Sequence, residues 1–284
     1  MNSLKSVHQR MKAVAPTLRL PLRRNSWRGL SGNFSGSGTG SSLDFQDHRA
    51  YMPGDDPRHI NWNAYARTGL YTMKLYRQEV SPQVDLVLDV SASMFCDEAK
   101  AERAWELLYF TVESALQLGA SLKCHALEAK RSAPVPLELL ISHRWEPGQH
   151  PTTGALQMLK TTPFRHGSLR VLISDLLFPC DAVSLQPLVI TQGRGLVFSP
   201  FSDAESQPDW RGNLAFEDVE TGVQKTQRVE PALLQRYRDA YRRHFDAWRD
   251  QCRRFNIGFA RIPARNGFAE ALRAEALTVG AVEL

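Results

Sequence analysis

The chain is poor in the features that would commit it to several large protein classes. Its 284 residues include only four cysteines, Cys96, Cys124, Cys180 and Cys252, widely spaced and with no C-x-x-C pair. That excludes a disulfide framework or a cysteine-rich zinc module and suits reduced thiols in a cytoplasmic protein. No apolar run approaches the roughly 18 residues that a membrane span needs. The N-terminus is basic but lacks the continuous apolar stretch of a secretory signal. There is no G-x-S-x-G nucleophile motif and no H-E-x-x-H, and the eight histidines show no metal-ligand spacing. The Gly/Ser-rich stretch 29–42 is not followed by Lys-Ser or Lys-Thr, so it is no phosphate-binding loop. Acid is missing from one region: residues 1–43 hold Lys5, Arg10, Lys12, Arg19, Arg23, Arg24 and Arg28 and no Asp or Glu.

What is present is the composition of a globular protein, 43% hydrophobic and 23% charged. The length suffices for one α/β domain with a sizeable core plus additions. The formal net charge of +5 comes from the first 43 residues, the remainder being slightly acidic. Pro16 and Pro21 argue against a helix at this end, and the glycine and serine content of 29–42 reads as a linker. Residues 1–43 are therefore expected to be a flexible basic arm. Such an arm serves as a solvated tail, contacts nucleic acid or an acidic surface, or resembles an organelle transit peptide. The mainly acidic remainder makes nucleic acid the less favoured partner.

The most informative stretch is Val84–Met94, VDLVLDVSASM. A short, almost continuous apolar run reads as a buried strand of a parallel sheet. It ends in Asp89, Ser91 and Ser93. One carboxylate and two hydroxyls at i, i+2 and i+4 on a tight loop are hard oxygen donors, a set that suits Mg²⁺, with Mn²⁺ or Ca²⁺ as other candidates. The same residues also suit a polar strand-to-helix turn with capping roles. Further buried runs at 122–127, 137–142, 169–173, 195–201 and 257–262 predict strands. Residues 70–80 alternate as a strand of their own. Helical spacing covers 97–118, 231–255 and 268–277, with Asp97 and Gly119 marking the ends of the first. The fold class expected is α/β: a mostly parallel central sheet flanked by helices, with an additional N-terminal segment and a β-hairpin at about 210–229 turning at Thr221-Gly222.

The D-x-S-x-S pattern after a buried strand resembles the metal-ion-dependent adhesion site of von Willebrand factor A domains. A second match is longer. Arg49, Tyr51, Pro53, Gly54, Asp55, Asp56, Arg58, Ile60, Trp62, Ala66 and Arg67 reproduce a signature similar to that of the bacterial family called domain of unknown function 58. A W-x-G-x-L-x-x-x-D-x-E-T-G segment from Trp210 to Gly222, with Asp218 and Glu220 as its acids, resembles its C-terminal part. The resemblance spans residue 44 to the end. It implies a von Willebrand factor A-like, Rossmann-like domain over 81–284, with 44–80 packed beside it. It also implies association with a MoxR-type AAA+ ATPase or its client protein. By this resemblance the metal ligands are Asp89, Ser91 and Ser93, then Thr153 or Thr152, with Thr153 the better spaced, and Asp175 after the strand at 169–173. Simple capping is the other role for those threonines and for Ser174-Asp175. The usual Gly-Gly before the threonine is replaced by His150-Pro151.

Residues 53–57 form a Pro-Gly-Asp-Asp-Pro turn in which Arg49, Arg58 and Arg67 can pair with Asp47, Asp55 and Asp56. That makes either a folded clasp or a partner-binding surface built from Arg49, Asp55, Asp56, Arg58 and Arg67. Trp62 and Tyr65 are expected to lie on the sheet. The arginine-rich face of 231–255 also carries Asp239, Asp246 and Asp250, which favours a salt-bridged solvent face. The hairpin's acids suit solvent or a partner. Two functions follow. The first is a non-enzymatic interaction module whose Mg²⁺ accepts a partner carboxylate. The second is a Mg²⁺-dependent phosphatase or hydrolase with Asp89 as nucleophile, which lacks the usual second acid because position 91 is serine.

Overall fold

The computed structural model describes residues 2–22, 43–78, 81–128, 130–147, 155–181 and 183–284. In chain order the helices and strands are α1 (Asn2–Val14), β1 (Leu43–Ala50), α2 (Trp62–Thr68), β2 (Thr72–Gln78), β3 (Gln83–Asp89), α3 (Ala92–Phe95) and α4 (Glu98–Gln117). They continue with β4 (Ser121–Leu127), β5 (Ser132–Val135), α5 (Leu137–Ile141), β6 (Leu169–Ile173), β7 (Arg194–Phe201), α6 (Asp203–Ser206), β8 (Gly212–Glu217), β9 (Gln224–Val229), α7 (Pro231–Arg254), β10 (Gly258–Pro263) and α8 (Phe268–Ala271). Two compact units divide the chain: residues 1–24 with 82–284, and residues 25–81.

The larger unit is built on a six-stranded sheet of order β10-β7-β6-β3-β4-β5, parallel except for β5. Its central strands β3, β6 and β7 are mainly apolar and buried because both faces are covered, Asp85 and Arg170 being buried exceptions. Side chains alternate across the sheet. Leu86, Leu88, Val171, Ile173, Leu196 and Phe198 belong to one core with α1, α4 and α8. Val87, Leu172, Val197 and Phe259 belong to a second core with Phe245, Trp248 and Cys252 of α7. Each fully buried Leu, Val or Phe stabilises the fold by about 1.5–3 kcal/mol relative to exposure.

The principal helices begin and end where their residues dictate. The Asp97 side chain accepts the Lys100 N–H at 2.9 Å and caps α4, while Gly119 takes the left-handed conformation (φ 66°) just beyond it. Pro231 opens α7, where a missing N–H costs nothing. No helix among the described residues is long and apolar enough to cross a membrane.

Three expectations are corrected. Residues 2–22 are not an arm. α1 ends before Pro16, and Val7, Met11, Leu18, Leu20 and Leu22 are buried in the core of the larger unit. Arg19 exchanges backbone hydrogen bonds with Glu283, at 2.7 and 2.8 Å, so the two ends of the chain are stitched together. Apolar residues at helical spacing outweighed the two prolines, which stand outside the helix. The linker expected at 29–42 lies outside the described residues. Second, 137–142 is not a strand. β5 occupies 132–135, and Leu137–Ile141 forms α5 behind Pro136, with Leu140 buried. A short apolar run does not distinguish strand from helix, and the proline before it favoured a helix start.

The smaller unit holds β1 and β2, an antiparallel pair irregular between Phe45 and Asp47, together with α2. The third correction falls here: Trp62 is 57% exposed, and Tyr65 stacks on Tyr71 at 4.5 Å between ring centroids.

Candidate metal centre at the ends of strands β3 and β6

The central strand β3 carries Asp89 at its carboxyl end, fully buried. Oδ1 accepts the Ser91 N–H at 2.9 Å, a tight turn that sends the chain into α3. Oδ2 accepts the hydroxyl of Ser174 at 2.7 Å, from the residue after β6, the neighbouring parallel strand. The Ser91 and Ser93 hydroxyl oxygens lie 3.1 Å apart and are buried with the carboxylate. Asp175, the next residue after Ser174, is equally buried. Four of the six metal-ligand candidates thus meet at one sheet edge, where open parallel sheets place ligand sites. Thr152 and Thr153 lie outside the described residues.

The electrostatics of this cluster are those of a place short of positive charge. Burial, reinforced by the Asp175 carboxylate, pushes the Asp89 carboxyl up to about 7, against the lowering effect of its hydrogen bonds to Ser174 and Ser91. Among the described residues the buried cation nearby is Lys100, on the first turn of α4. Its Nζ donates to Asp175 Oδ2 at 3.0 Å and also to Glu205 on α6. Burial opposes the charged lysine, yet Asp175 and Glu205 together hold it above its usual range. Burial raises Glu205, which Lys100 partly offsets. One ammonium therefore faces Asp175 and Glu205, leaving Asp89 to its hydrogen bonds alone.

A strained segment fixes the second loop. Leu176 has φ 55°, a region that bulky residues seldom adopt. Its carbonyl accepts from His244 Nε2 at 2.6 Å and from Trp248 Nε1 at 3.0 Å, so α7 clamps the chain just beyond Asp175. Strain held this way is common where a loop must be positioned for a ligand.

The donor set meets the chemistry of a hard cation. Two adjacent ligands of an octahedral Mg²⁺, each bound at about 2.1 Å, stand about 3 Å apart. The Ser91 and Ser93 hydroxyl oxygens have that separation, at 3.1 Å. A cation would also stabilise the ionised form of Asp89. Among the described residues no group of three His, Cys, Asp or Glu side chains is arranged to hold a metal. A cation here would therefore rest on few carboxylates and on hydroxyls.

Three further residues at the site carried weak sequence signals. Lys100 and Glu205 look like surface charges at helix starts. Glu220, in the turn of the β8–β9 hairpin, accepts the Ser93 N–H through Oε1 at 2.9 Å from 127 residues away. Only its place within the family-like segment 210–222 could have drawn attention to it.

The residues expected to bind a partner lie in the smaller unit. Arg49 holds Asp55 through two bonds, at 2.6 and 2.7 Å. Arg58 holds Asp56 at 2.7–3.1 Å and draws its carboxyl down to about 2. Asp56 also caps the short turn beginning at Pro57, and Arg67 donates to the Asn63 carbonyl of its own helix. The charge pairing expected of Arg49 and Arg58 is present.

The architecture is that of an α/β protein with a mostly parallel sheet and polar loops at its carboxyl edge. The chain belongs to the DUF58 family, described as a protein of unknown function, whose family model matches residues 47–247. Two solved structures are similar to it. One is an aerotolerance-related membrane protein from Bacteroides fragilis NCTC 9343 with multiple mutations to serines, 17% identical, with 70% of this chain and 98% of that chain covered and a TM-score of 0.37. The other is the conserved hypothetical protein BatB from Bacteroides thetaiotaomicron, 14% identical, with the same coverage and a TM-score of 0.36. No curated protein matches the sequence.

Proposed function

We propose that the chain is a von Willebrand factor A-like, non-enzymatic interaction module, docking a partner through a metal-ion-dependent adhesion-type site. The observation that carries this reading is the meeting of Asp89, Ser91 and Ser93 with Ser174 and Asp175 across two neighbouring strands, joined by the 2.7 Å bond from Ser174 to Asp89. Asp89, Ser91 and Ser93 would hold Mg²⁺, with Asp175 beside them. When bound, Mg²⁺ supplies an electrophilic position for an incoming carboxylate, because hydroxyl ligands neutralise little of its charge. Ser174 keeps Asp89 oriented and favours its ionised form. Lys100 holds Asp175 in place. Position 91 is serine, so the second acid of a carboxylate-based phosphatase is missing, which favours binding over hydrolysis.

The partner fitting this reading is a protein that presents an Asp or Glu. Resemblance to the family suggests a MoxR-type AAA+ ATPase or its client, with this chain as adaptor. Co-purification from the native host with Mg²⁺, with EDTA, and with Asp89→Ala in Mg²⁺ tests the proposal. A partner retained in the first and lost in the other two is expected; a partner retained in all three would end it.

A further inference from the structure

The β8–β9 hairpin is an unusual neighbour for this site. Among the described residues it pairs with no other strand, so its sheet has two strands, and most of its residues are exposed. Aromatic contacts tether its base: Trp210 lies 5.0 Å from both Phe216 and Tyr237, ring to ring. Its turn is tightly built. Asp218 Oδ1 accepts the N–H groups of Glu220 and Thr221, each at 2.9 Å, and the Asp218 carbonyl accepts the Gly222 N–H at 2.7 Å. Gly222, at φ 69°, supplies the left-handed residue that this turn requires. The outcome is a single carboxylate, Glu220, presented to the backbone N–H of Ser93, whose hydroxyl is one of the candidate ligands.

We propose that Glu220 is a built-in occupant of the docking position: a carboxylate on a tethered turn that covers the D-x-S-x-S loop until a partner's acidic side chain displaces it. This deepens the reading above and rests on it. The hairpin also indicates the class of ligand that fits, an acidic side chain on a tight turn, followed by small or hydroxyl residues as in Glu220-Thr221-Gly222. A tethered carboxylate competes at high effective concentration, so free ligands bind weakly until it is moved. Its bond to the Ser93 N–H is charge-assisted and only partly buried, so an incoming carboxylate can exchange with it.

The test uses the full chain, ¹⁵N-labelled, and a blocked peptide, Glu-Asp-Val-Glu-Thr-Gly-Val, copying residues 217–223. Spectra are recorded in EDTA and again in Mg²⁺. Glu220→Ala should shift the Ser93 amide resonance in EDTA, because its charged acceptor is gone. The variant should then bind the peptide at least about tenfold more tightly than the parent chain, with Glu220→Gln intermediate. A copy of the peptide with glutamine at the position of Glu220 should not bind. An unmoved Ser93 amide overturns the proposal. So does equal peptide affinity in parent and variant, or no binding to either. The two failures are distinguishable: no Mn²⁺ binding by the parent chain ends the metal reading itself, whereas Mn²⁺ binding with an unmoved Ser93 amide ends the occupant alone.

Discussion

Ser174 Oγ lies 2.7 Å from Asp89 Oδ2 and donates to it, tying the end of β6 to the end of β3. This bond favours the ionised carboxylate, the form that a cation needs, and so opposes the burial that raises it. Ser174→Ala removes it. Hydrogen bonds to charged groups contribute about 1.5–3 kcal/mol, so Mn²⁺ affinity at neutral pH should fall about tenfold or more, as read by electron paramagnetic resonance titration.

Lys100 is the second point of control. Its ammonium is fully buried between Asp175 and Glu205, and removing one partner of a buried ion pair costs about 3–5 kcal/mol. Lys100→Met should lower the urea-unfolding free energy by about that amount. Adding Glu205→Gln should recover part of it, since one stranded carboxylate is then neutral. A loss below about 1 kcal/mol would show that the ammonium is dispensable.

Without a cation, stability should depend on pH in a particular sense. The Asp89 carboxyl is raised from 3.8 to about 7 in the folded chain, so between those values the folded state holds a proton that the unfolded state has released. Stability therefore declines as pH rises through this window, by about 1.4 kcal/mol per unit from this group, and levels off above 7. Asp89→Asn should lack this component. Denaturation in EDTA at a series of pH values, parent against Asn variant, measures it. Saturating Mg²⁺ should offset the decline by favouring the ionised carboxylate.

The first twenty residues offer a test of the corrected N-terminus. Leu20 is fully buried and its N–H is accepted by the Ser114 hydroxyl at 2.8 Å. Leu20→Ala should cost about 2–5 kcal/mol. A solvated arm would tolerate it without change.

The central strands, the two long helices and the oxygen donors of the first loop were legible because each rests on local pattern. A buried run ending in Asp89 and a capped, glycine-terminated α4 declare themselves within a few residues. The rest depended on distance. Ser174 looks like a cap until β6 is placed beside β3. Lys100 reads as a surface lysine on the first turn of a helix, and only the sheet behind it turns it inward. Glu220 sits in a hairpin whose exposure masks a contact 127 residues away. Residues 137–142 differ for another reason: a short apolar-rich run suits strand or helix alike, and Pro136 in front of it favours the helix start seen in α5.

The most direct measurement is Mn²⁺ binding by electron paramagnetic resonance at pH 7.5 to the parent chain, Asp89→Ala and Ser91→Ala/Ser93→Ala, with folding of each verified by circular dichroism. The account predicts one saturable site in the parent, competed by Mg²⁺, and weakened at least about a hundredfold in both variants, the loss of metal ligands being more severe than the tenfold or greater loss expected when supporting residues are removed. Folded variants that bind Mn²⁺ as tightly as the parent, or a parent that binds none, would contradict it.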